Sequence, residues 1–180
     1  MPALARSWHH AILTTYGAWL HGDARGFRTR HEREHIEGDY KTPPLVGKYV
    51  RRERRSRESL MQDPVVVPQK MRRPIGESLQ EKIARLGGWV LCLAVSGQHV
   101  HMLVKLPPKS ARRWIGQAKK HTTFLMRERG WQGKLWGVRA KVILVRSRHQ
   151  QVNTYRYILR HAREGAWVGV WKIDGGEMEA

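Results

Sequence analysis

The chain has 180 residues, which suits one domain with a real core, and its 41% of apolar residues excludes a disordered tail. The net charge of +19 far exceeds the value of about 2–8 that solubility requires of a small domain. This excess predicts a polyanionic partner, with nucleic acid first and an anionic membrane surface second. No apolar run is long enough to span a bilayer, no signal peptide is recognisable after Met1, and the single cysteine excludes an intramolecular disulfide. We therefore expect a cytoplasmic protein that associates with the nucleoid and not with a membrane.

The first predicted element is a strand over Trp8 to Tyr16, a β-rich segment that ends before a glycine. From about residue 22 to 75, glycine, proline and charged residues dominate, and five of the seven residues from Arg51 to Arg57 are arginine. We interpret residues 22–75 as a basic insertion with little regular structure, apart from a short helix near Arg57 to Gln62. Because loops of this length are often functional, we expect the insertion to be part of a single domain, residues 1–180, and not to form a second domain.

Regular structure is predicted again from residue 76 onward. Apolar periodicity between helix-ending signals predicts three helices, over 76–86, 110–128 and 148–163. Apolar runs predict four strands, over 89–95, 99–106, 138–146 and 167–171, of which the first two form a hairpin. This order predicts an α+β fold, an antiparallel sheet with helices packed on one face, as in ferredoxin-like and RRM-like cores.

The hairpin carries the first candidate functional residues, His99 and His101. Residues i and i+2 of a strand point to the same face of the sheet, so the two imidazoles lie side by side while Val100 faces apolar packing. Two imidazoles at this spacing form a bidentate site for a divalent metal ion. A surface pair of histidines without a ligand is the alternative that this triplet leaves open.

The last predicted helix carries a tyrosine that suits such a site. On a helical wheel, Tyr155 and Ile158 fall in the apolar stripe that we assign to the core. Tyr157 projects away from this stripe together with His161, which follows one helical turn later. We therefore predict that Tyr155 packs in the core and that Tyr157 is presented outward, where stacking on a base is the alternative to chemistry.

Together these residues suit one reaction on DNA. A divalent cation held by His99 and His101, with His161 as a third ligand, would withdraw charge from a scissile phosphate that Tyr157 attacks. Since the ordinary pKa of a tyrosine is about 10, neighbouring positive charge must favour the phenolate. The product would be a covalent phosphotyrosine and a free hydroxyl, from which the strand can be rejoined. Imidazole and phosphate-oxygen ligands suit Mg²⁺ or Mn²⁺.

These residues resemble those of a known family. Gln98 to Val104 resembles the His-hydrophobic-His motif of the HUH endonucleases. The Arg156-Tyr157-Ile158 context resembles the nucleophile helix of their single-tyrosine transposases, the insertion-sequence and REP-associated tyrosine transposases. Thr14 to Asp23 is similar to the start of transposase-like proteins of this group. The resemblance covers residues 8–23 and 76–171 and leaves out the basic insertion.

The resemblance implies an HUH endonuclease core that recognises hairpins in single-stranded DNA. It further implies cleavage to a 5′-phosphotyrosine and a 3′-hydroxyl, a homodimer, and dependence on Mg²⁺ or Mn²⁺. Some members complete the metal site with glutamine or asparagine one helical turn after the tyrosine, where this chain has His161. REP-associated members usually have Asn-Pro shortly after the tyrosine, where this chain has His161 and Ala162.

Basic residues that we predict to contact the nucleic-acid backbone lie in the insertion, in the helix after residue 110 and beside the tyrosine. They are Arg51, Arg52, Arg54, Arg55, Arg112, Arg113, Lys119, Lys120, Arg156 and Arg160. Two other functions stay open at this stage: a non-catalytic single-stranded nucleic-acid-binding protein derived from such a transposase, and a metal-dependent ribonuclease or RNA-binding regulator. The joint presence of His99, His101 and Tyr157 favours the transposase, because a pure binding protein needs no such set.

Overall fold

Seven strands and four helices make up the part of the chain that the computed structural model describes, residues 6–24, 27–28, 35–36, 45 and 47–171. The strands are β1 (Ser7–Thr14), β2 (Phe27–Arg28), β3 (His35–Ile36), β4 (Trp89–Val95), β5 (His99–Leu106), β6 (Lys141–Leu144) and β7 (Trp167–Val170). The helices are α1 (Val50–Glu58), α2 (Gln69–Arg85), α3 (Ala111–Glu128) and α4 (Arg148–Arg160). None of the helices in these ranges has the length and apolar character needed to cross a membrane.

Five strands form one antiparallel sheet in the order β6-β1-β5-β4-β7. β1 pairs with β5 along its whole length, from Ser7 opposite Leu106 to Thr14 opposite His99. In chain order, α2 lies between β1 and β4, and α3 lies between β5 and β6. The strands β1, β4, β5 and β6 therefore have the ferredoxin-like arrangement, to which β7 adds an edge strand. The predicted α+β class and antiparallel sheet are confirmed, as is the hairpin of β4 and β5.

The two faces of the sheet carry separate buried clusters, because side chains alternate along each strand. On one face, Val100 of β5 belongs to the same cluster as Leu79 of α2 and Ile115 of α3. On the other face, Leu103 of β5 shares a cluster with Ile158 of α4. Two of the long helices thus lie on one face as predicted, whereas α4 covers the opposite face, a second layer that the prediction did not include.

Helix α2 begins at Gln69 and not at residue 76, with Pro74 inside it. Pro74 removes one backbone donor near the helix start, yet Ile75, Leu79 and Ile83 follow at helical spacing and are fully buried. Burial of this apolar stripe outweighs the lost hydrogen bond, so the helix continues through the proline. Our prediction that this helix starts at residue 76 was therefore wrong.

Much of the predicted basic insertion, residues 25–26, 29–34, 37–44 and 46, lies outside the described residues. In the described part, β2 pairs with β3, and the arginine-rich run forms α1. This helix spans Val50–Glu58, so the short helix predicted near Arg57 to Gln62 lies earlier in the chain than we expected. Ion pairs one turn apart, such as Arg57 with Glu53 at 3.0 Å, favour a helix in this charged run.

The last part of the chain differs from the prediction at two boundaries. β6 spans only Lys141–Leu144 and is shorter than 138–146; before it, Lys119 Nζ of α3 donates to the carbonyls of Gly137, at 2.6 Å, and Val138, at 3.3 Å. α4 ends at Arg160, where the chain tightens into a 3₁₀ turn over His161–Glu164. Gly165 closes this turn in the left-handed conformation, with φ of 79°.

Candidate active site

Two strands, α4 and the 3₁₀ turn after it bring four histidines and one tyrosine together on the face of the sheet that α4 covers. These side chains are His10 of β1, His99 and His101 of β5, Tyr157 of α4, and His161 at the start of the following 3₁₀ turn. One ligand nitrogen from each of His99, His101 and His161 lies within 4.8 Å of the other two. The rings of His101 and His161 stack, with centroids 4.8 Å apart and an interplanar angle of 7°.

Hydrogen bonds leave one nitrogen of His161 available to a ligand. Its Nδ1 lies 2.9 Å from a carboxylate oxygen of Glu164, so the neutral ring donates from Nδ1 and keeps a lone pair on Nε2. This Nε2 atom is buried and makes no hydrogen bond to any residue that the structure describes. A buried polar atom without a partner is costly, and a metal ion would satisfy it. The carboxylate-histidine pair is also the usual support of a metal ligand, so the three histidines fit a divalent cation.

Tyr157 lies beside this cluster, and Tyr155 does not. The ring of Tyr157 contacts those of His101 and His161 edge-on, with centroid distances of 5.2 Å and 5.0 Å. Its side chain is 38% exposed, which leaves an approach for a substrate. Tyr155 instead packs against the buried cluster of α4. The structure thus separates the two tyrosines in the way that the helical wheel predicts.

The surroundings of Tyr157 in the protein oppose ionisation of its phenol. Burial raises the pKa of this phenol above its usual range, and the Glu164 carboxylate raises it further. Arg160, whose guanidinium lies 5.7 Å from the ring centroid, lowers the pKa but is outweighed. Positive charge beyond that of Arg160 is therefore needed at this site before the phenolate becomes the favoured form.

The sequence analysis assigned no function to His10. Its Nε2 lies 3.0 Å from Nδ1 of His101. Burial, followed by the charges of Lys141 and His161, lowers the pKa of His10 to about 4. Burial, followed by the neighbouring histidines, lowers the pKa of His101 to about 2. Both rings are therefore neutral near pH 7, the state in which imidazole binds metals. Strand alternation, combined with pairing of β1 and β5, was the signal that could have identified His10.

The predicted nucleic-acid-binding residues fall into three groups. On α4, Arg156 and Arg160 are exposed beside Tyr157. On α1, the predicted residues are exposed or partly exposed; they are Arg51, Arg52, Arg54 and Arg55. This helix contacts the loop after β1, where Ser56 Oγ donates to the His21 carbonyl at 2.9 Å. On α3, Arg112, Arg113 and Lys120 are exposed on the side of the sheet opposite the histidines, and Lys119 is half-buried in its contacts with the carbonyls of Gly137 and Val138.

Comparison with protein-family models and with curated proteins finds no match. Among solved structures, the chain is similar to a REP-associated tyrosine transposase bound to a REP hairpin, with a TM-score of 0.50 and 10% identity over 88% of this chain and 68% of that one. It is also similar to a "putative transposase" from Deinococcus radiodurans R1, with a TM-score of 0.43 and 13% identity over 89% of this chain and 94% of that one. The resemblance noted in the sequence is thus matched by a resemblance in structure, and the chain has the fold of the REP-associated tyrosine transposase.

Proposed function

We propose that this protein is a metal-dependent transposase-type endonuclease that cleaves and rejoins single-stranded DNA through a 5′-phosphotyrosine on Tyr157. The observation that carries the proposal is the contact of the Tyr157 ring with His101 and His161, at centroid distances of 5.2 Å and 5.0 Å. Hairpin DNA is the proposed substrate. The shared fold with a transposase solved with a REP hairpin supports this choice, and the net charge of +19 supports a polyanion.

His99, His101 and His161 are the proposed metal ligands. The family resemblance implies Mg²⁺ or Mn²⁺, of which Mn²⁺ is the better match to imidazole nitrogen because Mg²⁺ prefers oxygen ligands. Such a cation would withdraw charge from the scissile phosphate and lower the pKa of the neighbouring phenol. This supplies the positive charge that Tyr157 lacks, since burial and Glu164 raise its pKa.

In the proposed cleavage step, Tyr157 exchanges one ester bond to phosphorus for another. Tyr157 Oη loses its proton and attacks phosphorus, an Oη–P bond forms, and the bond between phosphorus and the 3′-oxygen breaks. The leaving 3′-oxygen takes up a proton and becomes a hydroxyl. One phosphodiester replaces another, so attack by a 3′-hydroxyl on the phosphotyrosine reverses the step and joins strands. Arg156 and Arg160, exposed on the same helix, are the proposed contacts of the flanking phosphates.

The remaining partners are proposed on the family resemblance and on charge. We propose a homodimer that associates with the nucleoid, in which the basic residues of α1 and α3 contact the DNA backbone away from the cleaved bond. These residues are Arg51, Arg52, Arg54, Arg55, Arg112, Arg113, Lys119 and Lys120. Light scattering of the free protein and of its DNA complex measures the oligomeric state, and a monomer in both would contradict the homodimer.

The matched pair of tyrosines on α4 provides the main test. The protein is incubated with Mn²⁺ and single-stranded hairpin DNA carrying a label, and covalent adducts are counted on a denaturing gel. We expect an adduct with the unchanged protein and with Tyr155→Phe, but none with Tyr157→Phe, because only Tyr157 lies at the histidine cluster. An adduct that persists in Tyr157→Phe would show that another residue is the nucleophile.

Variants of the metal ligands separate the proposal from its alternatives. His99→Ala and His101→Ala are expected to bind the DNA but to lose the adduct, since each removes one proposed ligand. Adduct formation by both variants would contradict the metal site. DNA binding by the unchanged protein without any adduct would identify a non-catalytic binding protein, and cleavage of RNA without an adduct would identify a ribonuclease.

A further inference from the structure

We propose that His10 is a positioning residue that holds His101 in the one tautomer whose Nε2 can bind a divalent cation. The inference rests on the proposed function, because it concerns the metal-ligating nitrogen of His101. The inference adds His10 of β1 to the site, a residue 91 positions before His101 in the sequence.

The pairing of β1 with β5 brings the two rings together. Ile12 lies opposite His101, and His10, two residues earlier, lies opposite Leu103. Because alternate residues share a face, the side chain of His10 is on the face of His101, diagonally across the strand pair. The ring centroids are 5.1 Å apart, and Nε2 of His10 lies 3.0 Å from Nδ1 of His101. Since this is a normal hydrogen-bond length, one proton lies between the two nitrogens.

The location of that proton determines whether His101 can bind a metal. If His101 donates from Nδ1, its Nε2 keeps a lone pair and can act as a Lewis base. If His10 donates instead, the remaining proton of neutral His101 lies on Nε2 and blocks ligation. A ligand role for His101 therefore requires His10 to accept, with the proton of His10 on its own Nδ1. A second-sphere acceptor of this kind fixes the plane of the ligand ring and strengthens the ligand.

A histidine acceptor differs in charge from the usual carboxylate. At this site Glu164 supports His161, and its negative charge raises the pKa of Tyr157. His10 also lies near Tyr157, with ring centroids 6.0 Å apart. A neutral acceptor at His10 orients His101 without a second negative charge beside the nucleophile. The site thus combines one charged and one neutral supporting residue.

The tautomer is measured directly in the metal-free protein. Long-range ¹H–¹⁵N NMR spectra of protein labelled with ¹⁵N-histidine distinguish a protonated Nδ1 from a protonated Nε2, and the His101→Gln variant assigns the signals. We expect His101 to be protonated on Nδ1 near neutral pH and His10 to be protonated on Nδ1 as well. A proton on Nε2 of His101 would overturn the proposal, whatever the activity of the protein.

Mn²⁺ binding, followed by the electron paramagnetic resonance signal of the free ion, measures the consequence. His10→Phe keeps a ring but has no acceptor, so we expect Mn²⁺ affinity to fall roughly 10- to 100-fold, the usual effect of losing such a partner. His10→Gln retains an amide oxygen that can accept, and it should recover most of the affinity. His9→Phe changes the adjacent histidine, whose side chain is on the opposite face, and should bind Mn²⁺ like the unchanged protein.

The two measurements distinguish failure of this inference from failure of the proposed function. Equal Mn²⁺ affinity of His10→Phe and the unchanged protein would overturn the positioning role. An equal loss of Mn²⁺ affinity in His9→Phe would also overturn it. The loss would then come from a disturbance of strand β1 and not from the missing hydrogen bond. If His101 has the expected tautomer but the unchanged protein binds no Mn²⁺, the hydrogen-bond assignment is supported and the metal-dependent function is contradicted.

Discussion

At the scale of single residues, Glu164 acts on the candidate site in two opposite ways. Its carboxylate accepts from His161 Nδ1 at 2.9 Å and so leaves Nε2 of that ring for a metal. The same negative charge raises the pKa of Tyr157, which disfavours the nucleophilic phenolate. In the proposed mechanism, a residue that supports a metal ligand therefore makes the tyrosine depend more strongly on the metal.

Glu164→Gln separates these two effects. The glutamine keeps an amide oxygen for His161 but removes the negative charge, so the phenolate of Tyr157 is no longer repelled. We therefore expect the pKa of Tyr157 to fall in the metal-free protein, by an amount that solvent screening limits because the Glu164 side chain is 69% exposed. Absorbance of the phenolate during a pH titration measures this, with Tyr157→Phe and Glu164→Gln/Tyr157→Phe as backgrounds. A pKa that stays unchanged or rises would refute the assigned influence of Glu164.

Local periodicity was sufficient to select four of the five clustered side chains. Strand alternation put His99 and His101 on one face, and the helical wheel grouped Tyr157 with His161 and away from Tyr155. His10 was beyond these rules, because its position beside His101 depends on which strand pairs with β1 and in which register. That information is in the tertiary structure and not in any local pattern.

At the scale of elements, the contact between α2 and β7 shows what periodicity cannot provide. Gly76 is buried in the interior of α2, where the ring of Trp167 from β7 packs directly against its backbone. The sequence analysis took residue 76 as the start of a helix, although glycine is a poor helix former and has no side chain to pack. In the structure the glycine has a packing reason, which is the close approach of a strand that is 91 residues later in the chain.

Two glycine substitutions in helix interiors test this reading. Alanine is favoured over glycine in a helix by about 1 kcal/mol, so Gly116→Ala in α3, where an added Cβ meets nothing within 4 Å, should raise the free energy of unfolding by that amount. In Gly76→Ala the Cβ would overlap the Trp167 ring, and we expect a net loss of about 1–3 kcal/mol from overpacking. Urea denaturation measures both values. Equal stabilisation by the two changes would show that β7 does not pack closely on α2.

At the scale of the whole molecule, the sheet separates the basic residues of α4 from those of α3. The histidine cluster, α4 and its exposed Arg156 and Arg160 lie on one face, whereas α3 with Arg112 and Arg113 lies on the other. The sequence predicted these residues as one backbone-binding set, because composition gives the amount of charge but not its side of the sheet. Of these two pairs, only Arg156 and Arg160 lie on the face of the sheet that carries the histidine cluster.

Two double variants of equal charge test this division of roles. Arg156→Ala/Arg160→Ala and Arg112→Ala/Arg113→Ala each remove two positive charges, so each should weaken DNA binding and lower the salt slope of the affinity by about 1 per lost phosphate contact. At saturating DNA, however, only the α4 variant should form the covalent adduct more slowly, since it loses the proposed contacts with the flanking phosphates and the Arg160 charge that lowers the pKa of Tyr157. Anisotropy titrations at several salt concentrations give the slopes, and denaturing gels give the adduct rates. Equally slow adduct formation by the α3 variant would mean that DNA bound at the active site also reaches the far face of the sheet. An unchanged salt slope in the α3 variant would exclude α3 from the DNA-binding surface.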